Sequence, residues 1–194
     1  MRKSLPIRTA DRRRLLQLLG AAPAVLAAGL GPLKALAGEV HPALLATRQL
    51  SLVNTHTGER LAVRYCEAGQ YLPTALGQLN HLLRDHRTGD VSTIDPALFD
   101  RLHALAQCAQ CAPHFEIISG YRSPATNALL RESGSGVAKH SLHMEGRALD
   151  VRLAGTSCAK LRDLALELQA GGVGYYAKSN FVHVDTGRVR SWTG

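Results

Sequence analysis

The sequence predicts an α+β fold with an antiparallel sheet. Helical periodicity lies mostly in its first half, between Tyr71 and Ala106, and short strand-like runs follow Arg147. Hydrophobic residues make up 45% of the 194, enough for a proper core and too many for a disordered chain. There is no internal repeat.

In chain order, RQLSLVNTHTGERLAVRYCEAG reads as a hairpin, with apolar alternation on both sides of His56-Thr57-Gly58-Glu59. Tyr71 to His86 follows as a helix, with Pro73 in its first turn and Leu76, Leu79, Leu82 and Leu83 on one face. Asp90 to Ile94 links it to a second helix. There Asp95 is suited to the N-cap and Pro96 to the first turn, with Leu98, Leu102, Leu105 and Ala106 inward. Phe115 to Ser119 is a short strand, Gly120-Tyr121-Arg122 a turn, and Ser123-Pro124 the start of a helix ending near Arg131. ESGSGVAKH is a glycine-bearing loop. Arg147 to Leu153 is a strand, Ser157 to Gln169 a helix, and Gly172 to Tyr176 and Phe181 to Asp185 are two more strands.

The net charge of +8 does not point to nucleic acid once it is mapped. Residues 1–37 hold seven of the 23 bases and one of the 15 acids, so the remainder is close to neutral. That segment is built as an export signal: a basic start, an apolar stretch from Leu15 to Leu33, then the small-residue site Ala35-Leu36-Ala37. Cleavage there makes Gly38 the first mature residue and 38–194 the functional domain. Arg12-Arg13 with Leu15-Leu16 resembles a twin-arginine signal, with Asp11 in place of the usual Ser or Thr. The alternative is a membrane anchor. Gly20, Pro23, Gly29, Gly31 and Pro32 interrupt the apolar run and favour cleavage. No second run is long enough to span a bilayer, so the expected location is the periplasm or cell envelope.

Cys66, Cys108, Cys111 and Cys158 all follow the signal. In an oxidising compartment an even count suggests disulfides, and four cysteines allow three pairings. Cys108 and Cys111 also have redox spacing, which would make a thiol–disulfide protein. They close a helix rather than open one, so a structural role is preferred.

KHSLHMEGRALD, from Lys139 to Asp150, gathers His140, His143, Glu145 and Asp150. In RALDVRL, Leu149, Val151 and Leu153 share one strand face, so Asp150 occupies the other. A buried aspartate needs a cationic partner, either an arginine or a metal. FVHVD repeats the pattern, with His183 and Asp185 opposite Val182 and Val184. Gly146 permits a tight turn that lets His143 face Asp150. Two histidines and a carboxylate are good zinc ligands that leave a fourth position open, as in catalytic sites, although other first-row ions also suit them. The remaining histidines (41, 56, 81, 86, 103 and 114) read as surface or hydrogen-bonded side chains.

SLHMEGRALD resembles the S-x-H-x-x-G-x-A-x-D signature of the M15-type zinc peptidases, which include D-alanyl-D-alanine carboxypeptidases and dipeptidases. SGYRS resembles their arginine-bearing turn, and GGVGYY with SNFVHVDTG resembles their final strands. The likeness is strongest to the twin-arginine-exported branch of murein endopeptidases formerly called DUF882, and includes LNHLLRDHRTGDVSTIDPALFD. It implies a small antiparallel sheet with helices packed on one side. It implies one Zn²⁺ per chain held by His143, Asp150 and His183. Arg122 would hold a substrate carbonyl or carboxylate, with Tyr121 and Ser141 also at the substrate.

The implied activity is zinc-dependent hydrolysis of the peptide cross-links of peptidoglycan, with stem peptides as the partner. One position departs from the pattern. Many M15 enzymes carry a glutamate base three residues before the last histidine ligand, where this chain has Asn180; others carry a histidine two residues before it, where this chain has Phe181. Asp185 is the first candidate for the base, or else an orienting partner of a ligand; His140 and Glu145 are the alternatives. The missing glutamate motivates the competing reading, a metal-bearing peptidoglycan-binding protein with little or no hydrolytic activity.

Overall fold

The structure is a computed structural model that describes residues 47–134 and 137–194. The expected export signal, its cleavage site and His41 lie outside the described residues. In chain order the elements are β1 (Arg48–Asn54), β2 (Arg60–Glu67), β3 (Gln70–Tyr71), α1 (Pro73–Leu82), α2 (Pro96–Ala109), β4 (His114–Ser119) and α3 (Pro124–Glu132). A 3₁₀ turn (Leu142–Glu145), β5 (Ala148–Leu153), α4 (Cys158–Glu167), β6 (Gly172–Tyr176), β7 (Phe181–Asp185) and β8 (Arg190–Thr193) complete them.

The class is α+β, as expected, and the eight strands form one sheet in the order β3-β2-β1-β4-β5-β7-β6-β8. The sheet is larger than expected and mixed. β1 runs parallel to β4, and β6 parallel to β8, while the other pairs are antiparallel. The segment holding α1 and α2 carries the chain back across the sheet, so β4 enters in the direction of β1.

The period-2 rule sorts each strand. Leu50 and Leu52, Phe115 and Ile117, Leu149 and Val151, and Val182 and Val184 are buried in one core. Onto it α2 packs with Leu98, Leu102 and Leu105, and α4 with Leu161, Leu164 and Ala165. Each fully buried leucine contributes roughly 1.5–3 kcal/mol. α1 covers β2. α3 adds no residue to this core; it stands beside the loop leading to the 3₁₀ turn, where Asn127 Nδ2 donates to Ala138 O at 3.2 Å.

Caps set the helix starts. Asp95 accepts the Ala97 N–H, Ser123 the Thr126 N–H and Ser157 the Lys160 N–H. α1 stops at Leu82 instead of running to His86. Buried Asp85 accepts the N–H of Arg87 at 2.9 Å and that of Ser123 at 2.8 Å, which bends the chain away and ties it to the start of α3. The four cysteines are thiols rather than disulfides. Cys66 Sγ accepts from Arg48 Nη2 at 2.8 Å, and Cys158 Sγ donates to Asn180 O at 3.2 Å. Burial pushes the Cys158 thiol up, away from reactivity. Among the described residues no helix is long and apolar enough to cross a membrane.

Candidate metal centre

The sheet face opposite the core carries polar residues in one transverse row. Ser119 pairs with Asp150 across β4 and β5, Asp150 with His183 across β5 and β7, and His183 with Gly174 across β7 and β6. Register thus places the expected aspartate and the second histidine side by side, as directly opposed cross-strand residues stand.

His143 reaches this row from the 3₁₀ turn, which Ser141 caps by accepting the His143 N–H. The turn ends at Gly146, with φ of 66°. A Cβ there would stand 2.1 Å from Thr93 O, so only glycine lets the two segments touch. Gly146→Ala is expected to lower unfolding stability by more than ~1 kcal/mol, read as a reduced urea midpoint with unchanged slope.

Three ligand atoms converge. His143 Nε2 lies 3.2 Å from His183 Nδ1 and 3.3 Å from Asp150 Oδ1, and His183 Nδ1 lies 2.9 Å from Asp150 Oδ1. All three residues are buried, and they are the one such group among the described residues. A carbonyl fixes the tautomer of His143, while His183 stands between two carboxylates, with Nδ1 beside Asp150 and Nε2 beside Asp185. His143 Nδ1 donates to Gly120 O at 2.8 Å, and His183 Nε2 donates to Asp185 Oδ2 at 3.1 Å. Two ring nitrogens and a carboxylate oxygen therefore face one another, an arrangement that a bound cation, or a proton on His183 Nδ1, satisfies. Tetrahedral zinc with ligands at ~2.0–2.1 Å has ligand–ligand edges of ~3.3 Å; two edges of the triangle have that length and the third, at 2.9 Å, is shorter. The donor set fits the ion.

The electrostatics differ between the two rings. Burial pushes the His143 imidazole down, against the pull of Asp150, and keeps its lone pair available. Burial opposes charge on His183 as well, but the Asp150 and Asp185 carboxylates outweigh it and push this ring up. Against burial, His143 and His183 hold the Asp150 carboxyl well below the usual carboxylate range.

Asp185 departs from the expectation that it could act as base. It is fully buried, and Arg190 grips it with a fork of two bonds at 3.1 and 2.7 Å. Oδ1 also accepts the N–H of Gly172 at 2.9 Å and of Gly187 at 2.8 Å. Against burial, these bonds and His183 hold its carboxyl well below the usual range, so it has neither access to water nor a free lone pair for a proton. Its place is behind His183, orienting the ring.

The triad lines a cavity of about 350 Å³, together with Arg122, His140, Ser141 and Tyr176 among others. Arg122 Nη2 donates to Ser119 Oγ at 3.1 Å and to Asp150 Oδ2 at 3.4 Å, leaving other donors of its fork for a ligand. Tyr121 packs against the core and does not line the cavity, because the turn that presents Arg122 sends its neighbour the other way. Glu145 pairs with Arg147 at 3.2 Å, outside the cavity. Asn180 sits in the β6–β7 turn with φ of 54°, its carbonyl accepting from Arg152 and Cys158, and also lies outside. Sequence reasoning missed Tyr176, Arg190 and Trp192. The available signal was Gly172-x-Gly174-x-Tyr176, two bare positions on one strand face that leave room for bulky groups lying over them.

The family model described as peptidoglycan L,D-endopeptidase MepK matches residues 43–192. Peptidoglycan L,D-endopeptidase MepK of Escherichia coli (strain K12) is 43% identical over 183 residues, which cover 94% of this chain and 97% of the relative. The protein of the same name from Shigella flexneri matches to the same extent. A probable peptidoglycan L,D-endopeptidase MepK of Haemophilus influenzae is 44% identical over 148 residues, 76% of this chain and 80% of the relative. No solved structure matches the chain.

Proposed function

The chain belongs to the peptidoglycan L,D-endopeptidase family, a metallopeptidase family, and on that footing we propose that this murein endopeptidase works through one zinc ion held by His143, Asp150 and His183. The observation that carries the reading is the buried triangle of two ring nitrogens and a carboxylate oxygen, 2.9 to 3.3 Å apart. When bound, zinc supplies a Lewis acid that acidifies a water and polarises a carbonyl oxygen. The substrate is a peptidoglycan stem peptide, and the bond cut is the L,D cross-link that the relatives' names state.

The chain's own residues supply the rest. Gly120 O and Asp185 hold the two imidazoles with their lone pairs inward. The Arg122 fork receives a substrate oxygen that gains negative charge. Of the residues that line the cavity and lie outside the triad, His140 has the side chain suited to taking the proton of water and returning it to the leaving amine. This assignment moves the base from Asp185 to the loop before the 3₁₀ turn. Residues 1–37 direct export by the twin-arginine route and are removed, placing the enzyme in the periplasm with its substrate.

The test is digestion of cross-linked muropeptide dimers by the zinc-loaded protein. Conversion to monomers is expected, whereas binding to sacculi without product would favour the competing binding-protein reading. His140→Ala should keep its zinc and lose about 10²-fold in kcat. Retention of full activity would exclude His140 as the base.

A further inference from the structure

We infer that the Tyr176 hydroxyl is a second hydrogen-bond donor to the substrate, aimed at the carbonyl oxygen of the scissile peptide; the inference rests on the endopeptidase reading above. Strand period decides where Tyr176 stands. Val173 and Tyr175 of β6 turn to the core, so Gly172, Gly174 and Tyr176 occupy the face of the metal triad, and Tyr176 lines its cavity.

β8 then fixes the phenol. It pairs in parallel with β6, with Trp192 opposite Gly174. A Cβ on Gly174 would stand 2.6 Å from the indole, so the bare backbone is what admits Trp192. The indole ring lies 5.0 Å from the His183 ring, and its Nε1 donates to Tyr176 Oη at 3.0 Å. An indole N–H is a donor only, so the phenol oxygen must accept. Its own proton is then directed elsewhere, and among the described residues the hydroxyl makes no other hydrogen bond. Stacking on Phe181, its cross-strand partner, at a centroid distance of 4.5 Å holds the ring in place.

The result is a buttressed donor with no acceptor of its own, in the cavity that also holds Arg122 and the triad. Accepting from Trp192 also polarises the phenol and makes it a stronger donor. The phenol keeps its proton throughout; it donates a hydrogen bond that strengthens as the carbonyl oxygen gains negative charge. Such a donor acts on kcat more than on KM.

Tyr176→Phe keeps the stacked ring and removes only the hydroxyl, and Trp192→Phe removes the indole donor. The experiment measures kcat and KM for muropeptide dimers, the zinc content, and inhibition by a phosphinate pseudopeptide whose tetrahedral oxygens imitate the hydrolytic transition state. For Tyr176→Phe we expect kcat to fall about 100-fold, with KM within about 3-fold of wild type. Zinc content should be unchanged, and phosphinate affinity should fall with kcat. Trp192→Phe should lose about 10-fold in kcat, because the hydroxyl stays but is no longer held. Equal kcat in Tyr176→Phe and wild type, or a loss confined to KM, would overturn the inference while leaving the endopeptidase reading in place. A wild type that cleaves nothing would remove both.

Discussion

Asp150→Asn is expected to bind no zinc at stoichiometric concentrations and to lose at least ~10³-fold in endopeptidase activity. The substitution keeps the size and shape of the side chain and removes its charge. In the wild type, the carboxylate oxygen stands within 3.3 Å of both ring nitrogens, where its negative charge would balance a dication in a buried site. An amide in its place can donate N–H to a ring lone pair and satisfy the metal-free site by itself. The variant should therefore fold, with a metal-free melting temperature close to that of the metal-free wild type. Zinc content after dialysis, melting temperature and dimer cleavage together check this. One tightly held zinc in Asp150→Asn would remove the aspartate from the ligand set.

Arg122→Ala is expected to separate binding of the metal from catalysis. Its guanidinium is a cation 3.4 Å from the Asp150 carboxylate, so removing it takes a repulsive charge away from a bound dication. Zinc affinity should hold or rise, while kcat/KM falls ~10²–10³-fold for want of the donor to the developing oxyanion. Arg122→Lys should recover little, since a point charge on a flexible stem does not reproduce the planar fork. Zinc titration beside steady-state kinetics distinguishes the outcomes. Loss of zinc together with activity would mean that Arg122 holds the triad in shape instead of meeting the substrate.

Much of this site was legible locally. Alternation alone placed Asp150 and His183 on the strand faces away from the core, and Gly146 marked the turn that delivers His143. α2 was equally readable, since Asp95, Pro96 and the leucine spacing are contained within the helix. The triangle itself was not legible. It depends on the register that sets Asp150 against His183, a pairing between strands separated by α4 and β6.

Pairing between strands also hid the role of Asp185. Its side-chain partners include the Gly172 N–H and the Arg190 fork, and only the assembled strands show that these use up its oxygens. The early end of α1 follows from the bond between Asp85 and Ser123, which lies 38 residues away. β8 is four residues long with two of them half-buried, too short for periodicity to announce, yet it supplies both Arg190 and Trp192. Tyr121 illustrates the opposite error: adjacency to Arg122 in a turn says nothing of a shared direction.

The central claim is that the three converging acceptors hold a catalytic zinc. The most direct measurement is metal analysis of the purified protein beside digestion of cross-linked muropeptide dimers, before and after chelation and after zinc is returned. About one zinc per chain is predicted. Dimer cleavage should disappear with the chelator and return with the ion. Cleavage that survives complete removal of metal, or a protein that takes up no zinc at all, would contradict the account.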